Sequence, residues 1–252
     1  MKRRNFLNFS FSALLGSLFF SKKAAAETPN KNTIDDQSLK KENQEELVSL
    51  NIPSPKELRG GWAALAAVCA SRGWGNDVYA KKDQWFYHDG GGNWVCLRFK
   101  EKNKAILIGH DHEYTETYYG EAAKYFEEEE TDILADTPDW WSFDMNPAPF
   151  GEWIGFVYGW DGEKWQRANY DKPDGFKEVN LIDACSMNDF EQLQQHSFDA
   201  PGNNGKAPSD KKLKKLVDAD ANITPELLEN VVPGWDIKAG VEAAKKFLEA
   251  DI

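Results

Sequence analysis

Three short runs rich in aromatic and β-branched side chains, residues 84–88, 94–100 and 105–109, are separated by two turn-forming stretches, Asp89-Gly90-Gly91-Gly92-Asn93 and Glu101-Lys102-Asn103-Lys104. Connections this short join antiparallel neighbours, because parallel strands need a crossover of a dozen or more residues. A meander of three antiparallel strands follows. In its middle run Val95, Leu97 and Phe99 alternate with Trp94, Cys96 and Arg98, which sets one apolar row against a core. A second hairpin is predicted over 152–160 and 164–168 around Asp161-Gly162, with Ile154, Phe156, Tyr158 and Trp160 on one face.

Helical signals flank these strands. Ser54 is placed to cap a helix with Pro55 at its first position, and Leu58, Trp62, Leu65, Ala66 and Cys69 recur at helical spacing as far as about Ser71. Gly60 and Gly61 interrupt it, each at a cost of about 1 kcal/mol relative to Ala. Residues 117–130 return to helical spacing through Tyr118, Ala122, Tyr125 and Phe126, and the run Glu127 to Glu130 reads as the solvated end of that helix. Beyond Asp183, helices are predicted over 210–217, 225–231 and 237–250, with a Pro, Gly and Asn linker at 200–209. The fold class is α+β: a mainly antiparallel sheet of five or six strands, a meander plus a second hairpin, flanked by helices, with a helical C-terminal part. The expected organisation is a cleavable export signal over 1–26, a flexible tether over 27–53, an α+β domain over 54–182, and a helical extension over 183–252 packing on that domain.

The N-terminal assignment rests on five cations and no acid in the first 26 residues, around an apolar run of about a dozen residues, too short to span a bilayer. Arg3-Arg4-Asn5-Phe6-Leu7 resembles the twin-arginine export motif, and Lys22 and Lys23 precede a small-residue cleavage site at Ala24-Ala25-Ala26. Export by that route or by the general secretory route leads to the periplasm or the extracellular space, with no stable membrane anchor once the signal is cleaved. Cleavage leaves 25 basic side chains against 42 acidic ones, a net charge of −17. That balance argues against nucleic acid as a partner, since phosphate neutralisation needs a basic face. It suits a basic protein partner. Cys69, Cys96 and Cys185 are too few and too scattered for a disulfide framework and read as buried thiols, with one pairing left open.

Three groups of residues carry candidate chemistry. His110, Asp111, His112 and Glu113 follow an apolar strand, and with His88 they could ligate a divalent metal where the chain leaves the sheet. The Gly-His-any-His string at residues 109–112 is similar to one motif of the calcineurin-like metallophosphoesterases; that resemblance implies metal or phosphate-site roles for His110 and His112. The segment 218–229 resembles an EF-hand loop, which implies calcium ligands at Asp218, Asp220, Asn222, Thr224, Glu226 and Glu229. The same residues also read as plain helix capping, with Thr224 as the cap and Pro225 as the first helical residue. Asp139 and Asp144 beside Trp140 and Trp141 combine carboxylates with aromatic faces, as a partner or glycan contact would. Two function classes result. The first is an exported acidic, non-enzymatic binding protein, an inhibitor or immunity-type protein for a basic partner; the second is a metal-dependent, phosphoesterase-like hydrolase centred on His110 and His112.

Overall fold

The computed structural model of the protein describes residues 46–101, 103–141 and 153–250. The export signal, the tether as far as residue 45, and Asp144 lie outside them. Among the described residues the fold is α+β, with one seven-stranded antiparallel sheet and seven α-helices. In chain order these are β1 (Val48–Leu50), α1 (Pro55–Arg72), β2 (Val78–Lys81), β3 (Gln84–His88), β4 (Trp94–Lys100), β5 (Lys104–His110), α2 (Glu121–Phe126), β6 (Phe156–Trp160), β7 (Trp165–Arg167), α3 (Leu181–Ala184), α4 (Glu191–Ser197), α5 (Asp210–Asp218), α6 (Pro225–Glu229) and α7 (Ile237–Lys245). The sheet order is β1-β7-β6-β5-β4-β3-β2, so β2 to β7 form one continuous meander and β1 adds to its far edge. No helix of the described residues is long and apolar enough to cross a membrane.

Both faces of the sheet are buried. Trp85, Leu97, Leu107 and Tyr158 stand opposite one another across β3 to β6 and belong to the main core. Their neighbours Phe86, Cys96, Ile108 and Val157 form the matching ladder on the other face. The single apolar row expected in β4 is therefore one of two, since Trp94 and Cys96 are buried as fully as Val95 and Leu97. Ile154 departs from the expected set. Strand β6 begins only at Phe156, and Ile154 packs in the second core while Phe156 and Tyr158 face the first.

Helix α1 begins as its sequence dictates: Ser54 and Glu57 form a reciprocal capping box, and Pro55 occupies the first turn. It is buried on all sides rather than along one stripe, with Trp62, Ala63, Ala64, Leu65, Ala66, Ala67 and Val68 all inaccessible. Trp62 reaches the sheet, where its indole N–H donates to the Phe86 carbonyl at 3.1 Å and its ring meets Trp85 edge-on at 5.7 Å. On its other sides α1 contacts α3, α4, α5 and α7. Close approach there depends on Gly60 and Gly61. A Cβ at Gly60 would lie 2.6 Å from the Val217 carbonyl oxygen, and one at Gly61 would lie 2.1 Å from that of Cys185.

Two further expectations are corrected. The predicted helix over 117–130 contracts to the six residues of α2: Thr117 is buried and donates to the Gly155 carbonyl instead, and Glu127 turns left-handed at φ 56° to end the helix. Four consecutive carboxylates at a helix C-terminus oppose its dipole, which disfavours extension through the acidic run. The last residues of the expected tether, Val48–Leu50, pair with β7, and Trp165 donates to the Pro53 carbonyl at 2.9 Å. The C-terminal helices lie close to their expected places, with α7 giving way to a 3-10 turn at Lys246–Leu248. All three cysteines are buried free thiols, and burial pushes the Cys69 thiol up to about 12.

These contacts reverse the expected sign of a helix-propensity substitution. Gly61→Ala should destabilise the protein by about 2 kcal/mol or more through overpacking, where propensity alone predicts a gain of about 1 kcal/mol. Urea unfolding of the variant decides between the two, and a raised midpoint would show that Gly61 is not a contact glycine. A second test concerns Arg59 on α1, whose Nε donates to Asp220 Oδ1 at 2.9 Å. The guanidinium bonds hold the Asp220 carboxyl below its ordinary value, so the pair stabilises the fold above the unfolded-state pKa and is lost as pH falls through the folded one. The Asp220 side chain is 44% exposed, and solvent screening limits the expected loss in Arg59→Met to about 1 kcal/mol at neutral pH. The difference from the parent protein should shrink as the solution is acidified and vanish once Asp220 is protonated in the folded state; a pH-independent difference would mean that Arg59 contributes by packing alone.

Candidate functional site

Strand β5 ends at His110, which pairs in register with Trp94, and the chain leaves the sheet at Asp111. The Asp111 carboxylate is committed to that exit. It accepts the backbone N–H groups of Glu113 at 2.9 Å and Tyr114 at 2.8 Å, while its own N–H donates to Thr115 Oγ1 at 3.0 Å. Thr115 in turn donates to the Asp174 carbonyl at 3.1 Å. The Asp174 side chain accepts the Tyr158 and Tyr170 hydroxyls at 2.7 and 2.8 Å, which fixes the root of the excursion to β6 and to the loop after β7. Burial first, then the Asp174 charge, raises both phenol pKa values, so the two tyrosines remain donors.

The turn separates the two histidines that the sequence set side by side. His110 is buried, its ring 4.1 Å from that of Trp153. His112 is exposed, its backbone N–H donates to Asn93 Oδ1 at 2.7 Å, and its imidazole lies over Gly92 in the β3–β4 turn. His88 is half-buried at the base of that turn, where its Nδ1 accepts the Gly90 N–H at 3.1 Å. Glu113 is exposed. Among the described residues no group of three or more His, Cys, Asp or Glu side chains is arranged to hold a metal ion.

The residues from 218 to 229 are dispersed in the same way. Asp218 pairs with Lys214 at 2.7 Å and Asp220 with Arg59, while Thr224 caps α6 by accepting the Leu227 N–H. The left-handed residues are Asp220 and Ala221, and Ile223 is buried. Asn222 donates back to the Asp220 carbonyl, and Glu226 and Glu229 belong to the short helix α6. The expected calcium ligands thus serve as helix ends and ion-pair partners. Trp141 is corrected too. It is fully buried, and its indole lies against β6 where a Cβ at Gly159 would come within 2.1 Å, so it is unavailable to a glycan or partner. Trp140 is half-buried, edge-on to Trp141 and under the Lys104 ammonium, while Asp139 is exposed.

The structure instead assembles a surface that the motifs did not mark. Among the described residues between β5 and β6 the exposed carboxylates are Glu113, Glu116, Glu121, Glu127, Glu128, Glu129, Glu130, Asp132, Asp136 and Asp139, against one cation, Lys124, which pairs with Glu121. Large apolar rings are exposed among them: Tyr125 at 79%, Tyr114 at 55% and Phe126 at 37%. Phe126 packs on Trp153 at 4.8 Å and Tyr118 stacks on the same indole at 5.4 Å, while Tyr125 meets Phe126 edge-on. Trp153 is held by its N–H donating to the Thr117 carbonyl at 2.9 Å, so the cluster is seated on a fixed base. Burial raises the Tyr118 pKa, followed by the charges of Glu128 and Glu116; Tyr119 is raised in the same way by burial, then by Asp132 and Glu130. Carboxylates therefore lie close to both rings. Periodicity grouped Tyr118, Ala122, Tyr125 and Phe126 at helical spacing without saying whether they face the core or solvent. The warning in the sequence was an aromatic stripe inside a stretch so acidic that full burial would be costly.

Comparisons with protein-family models, with curated proteins and with solved structures find no match to the chain.

Proposed function

We propose that the protein is a non-enzymatic binding protein that holds a basic partner, as an inhibitor or immunity-type protein would, through the acidic aromatic surface between β5 and β6. The observation that supports this reading is the coincidence of ten exposed carboxylates with exposed Tyr114, Tyr125 and Phe126 in one connection. Each half has a physical role. Carboxylates steer a cationic partner toward the surface over roughly a Debye length, about 10 Å at 0.1 M salt. Aromatic rings then supply the desolvated contact that slows dissociation, and their faces also attract guanidinium and ammonium groups. The N-terminal segment supports export, which places the encounter in the periplasm or outside the cell.

The test is capture followed by quantification. The mature protein should retain a basic protein from the producing cell at low salt and release it at high salt. With that partner purified, replacing Glu127 to Glu130 by Gln should reduce the association rate and flatten its salt dependence, while Tyr125→Ala with Phe126→Ala should weaken affinity about tenfold, chiefly through faster dissociation. Absence of any enriched basic protein would overturn the proposal, as would a complex that neither set of substitutions affects.

A further inference from the structure

Helix α5 carries four lysines in nine residues, Asp210-Lys-Lys-Leu-Lys-Lys-Leu-Val-Asp218, within a chain of net charge −12. Leu213, Leu216 and Val217 are buried and fix the rotation of the helix. That rotation brings Lys211, Lys212 and Lys215 to the wall of a cavity of about 360 Å³, shared with Ser209, with Glu226 and Leu227 from α6, and with Asn230 at its C-terminal end. Lys212 and Lys215 are three residues apart and Lys211 and Lys215 four apart, spacings at which like charges on a helix repel.

None of the nearby described acids forms an ion pair with these lysines, although Glu226 lines the same cavity. Asp210 is held by the Gln194 side-chain amide at 2.8 Å, and Asp218 pairs with Lys214. Like several other lysines of the chain, Lys211, Lys212 and Lys215 form no ion pair with any described residue, but these three line one cavity together. Ser209 stands at the helix N-cap without making a side-chain cap. The lining is not uniformly cationic. Glu226 would repel a bare polyanion, yet together with the Asn230 amide and the Ser209 hydroxyl it can bond sugar hydroxyls, and Leu227 offers an apolar contact for the C–H face of a ring.

We propose that this cavity between α5 and α6 binds a soluble phosphorylated sugar, with Lys211, Lys212 and Lys215 on the phosphate and Glu226, Asn230 and Ser209 on the hydroxyls. Calorimetric titration of the mature protein with glucose 6-phosphate, inorganic phosphate and glucose tests it. Glucose 6-phosphate should bind about tenfold more tightly than inorganic phosphate, and glucose should give no signal, because the charge-assisted bonds dominate. Lys212→Ala with Lys215→Ala should weaken glucose 6-phosphate about tenfold without changing the melting temperature, since both side chains are exposed. Glu226→Gln should raise affinity for inorganic phosphate and so narrow the preference for the sugar phosphate. Equal binding of the two phosphates, no binding at about 10 mM ligand, or a double lysine variant with unaltered affinity would each overturn the proposal. Binding to phosphatidylglycerol vesicles without binding to glucose 6-phosphate would overturn it too, by assigning the lysines to a membrane surface.

Discussion

Burial of α1 on every side beyond its first turn is the constraint on which the rest of the molecule depends. A helix accessible on one side needs only an amphipathic stripe, whereas α1 must satisfy partners all around its axis. Its composition permits this. The alanines at 63, 64, 66, 67 and 70 and the glycines at 60 and 61 keep its surface thin, and Trp62 and Leu65 supply the bulk. One consequence is that the C-terminal helices are required by the sheet domain: without α5 and α7, the side of α1 away from the sheet would face water. A second is that the connection from β1 through α1 to β2 joins the two opposite edges of the sheet, which ties the meander across its full width.

The meander was legible because turn chemistry and strand length are local. Asp89 bonding the Gly91 and Asn93 N–H groups is a contact within five residues, and the sequence displays it. Strand β1 was not legible. Three residues with a serine in the middle carry almost no periodic signal, and its assignment depends on β7, which lies more than a hundred residues away. Gly60 and Gly61 were misread for a related reason. Helix propensity is an intrinsic quantity, but the carbonyls of Val217 and Cys185 that exclude a side chain there come from distant parts of the chain.

At the candidate sites the same division holds in sharper form. His110 and His112 are two residues apart, and on a continuing strand both would point to one side. Asp111 ends the strand between them, so one imidazole enters the aromatic cluster and the other covers a turn. A pair of ligating residue types in sequence is therefore weak grounds for a metal unless the backbone between them is known. The acidic aromatic connection shows the converse. Its residues were all visible as types and their spacing at 118, 122, 125 and 126 was helical, but spacing shows neither where the helix stops nor which side meets water: α2 ends at Phe126, and Tyr125 and Phe126 are exposed.

The two-sided sheet also decides how charge is distributed. The acidic connection covers the face of Phe86, Cys96, Ile106 and Ile108, where Ile133 and Trp141 anchor it. The lysines of α5 belong to the opposite layer, because Leu213 and Leu216 join the core that contains α1. Between them stand the sheet and α1, with the two apolar clusters packed on either face. A net charge counted over the chain conceals this arrangement. The molecule presents an acidic aromatic connection over one face of the sheet and, in the layer on the other, a smaller concavity lined by three lysines.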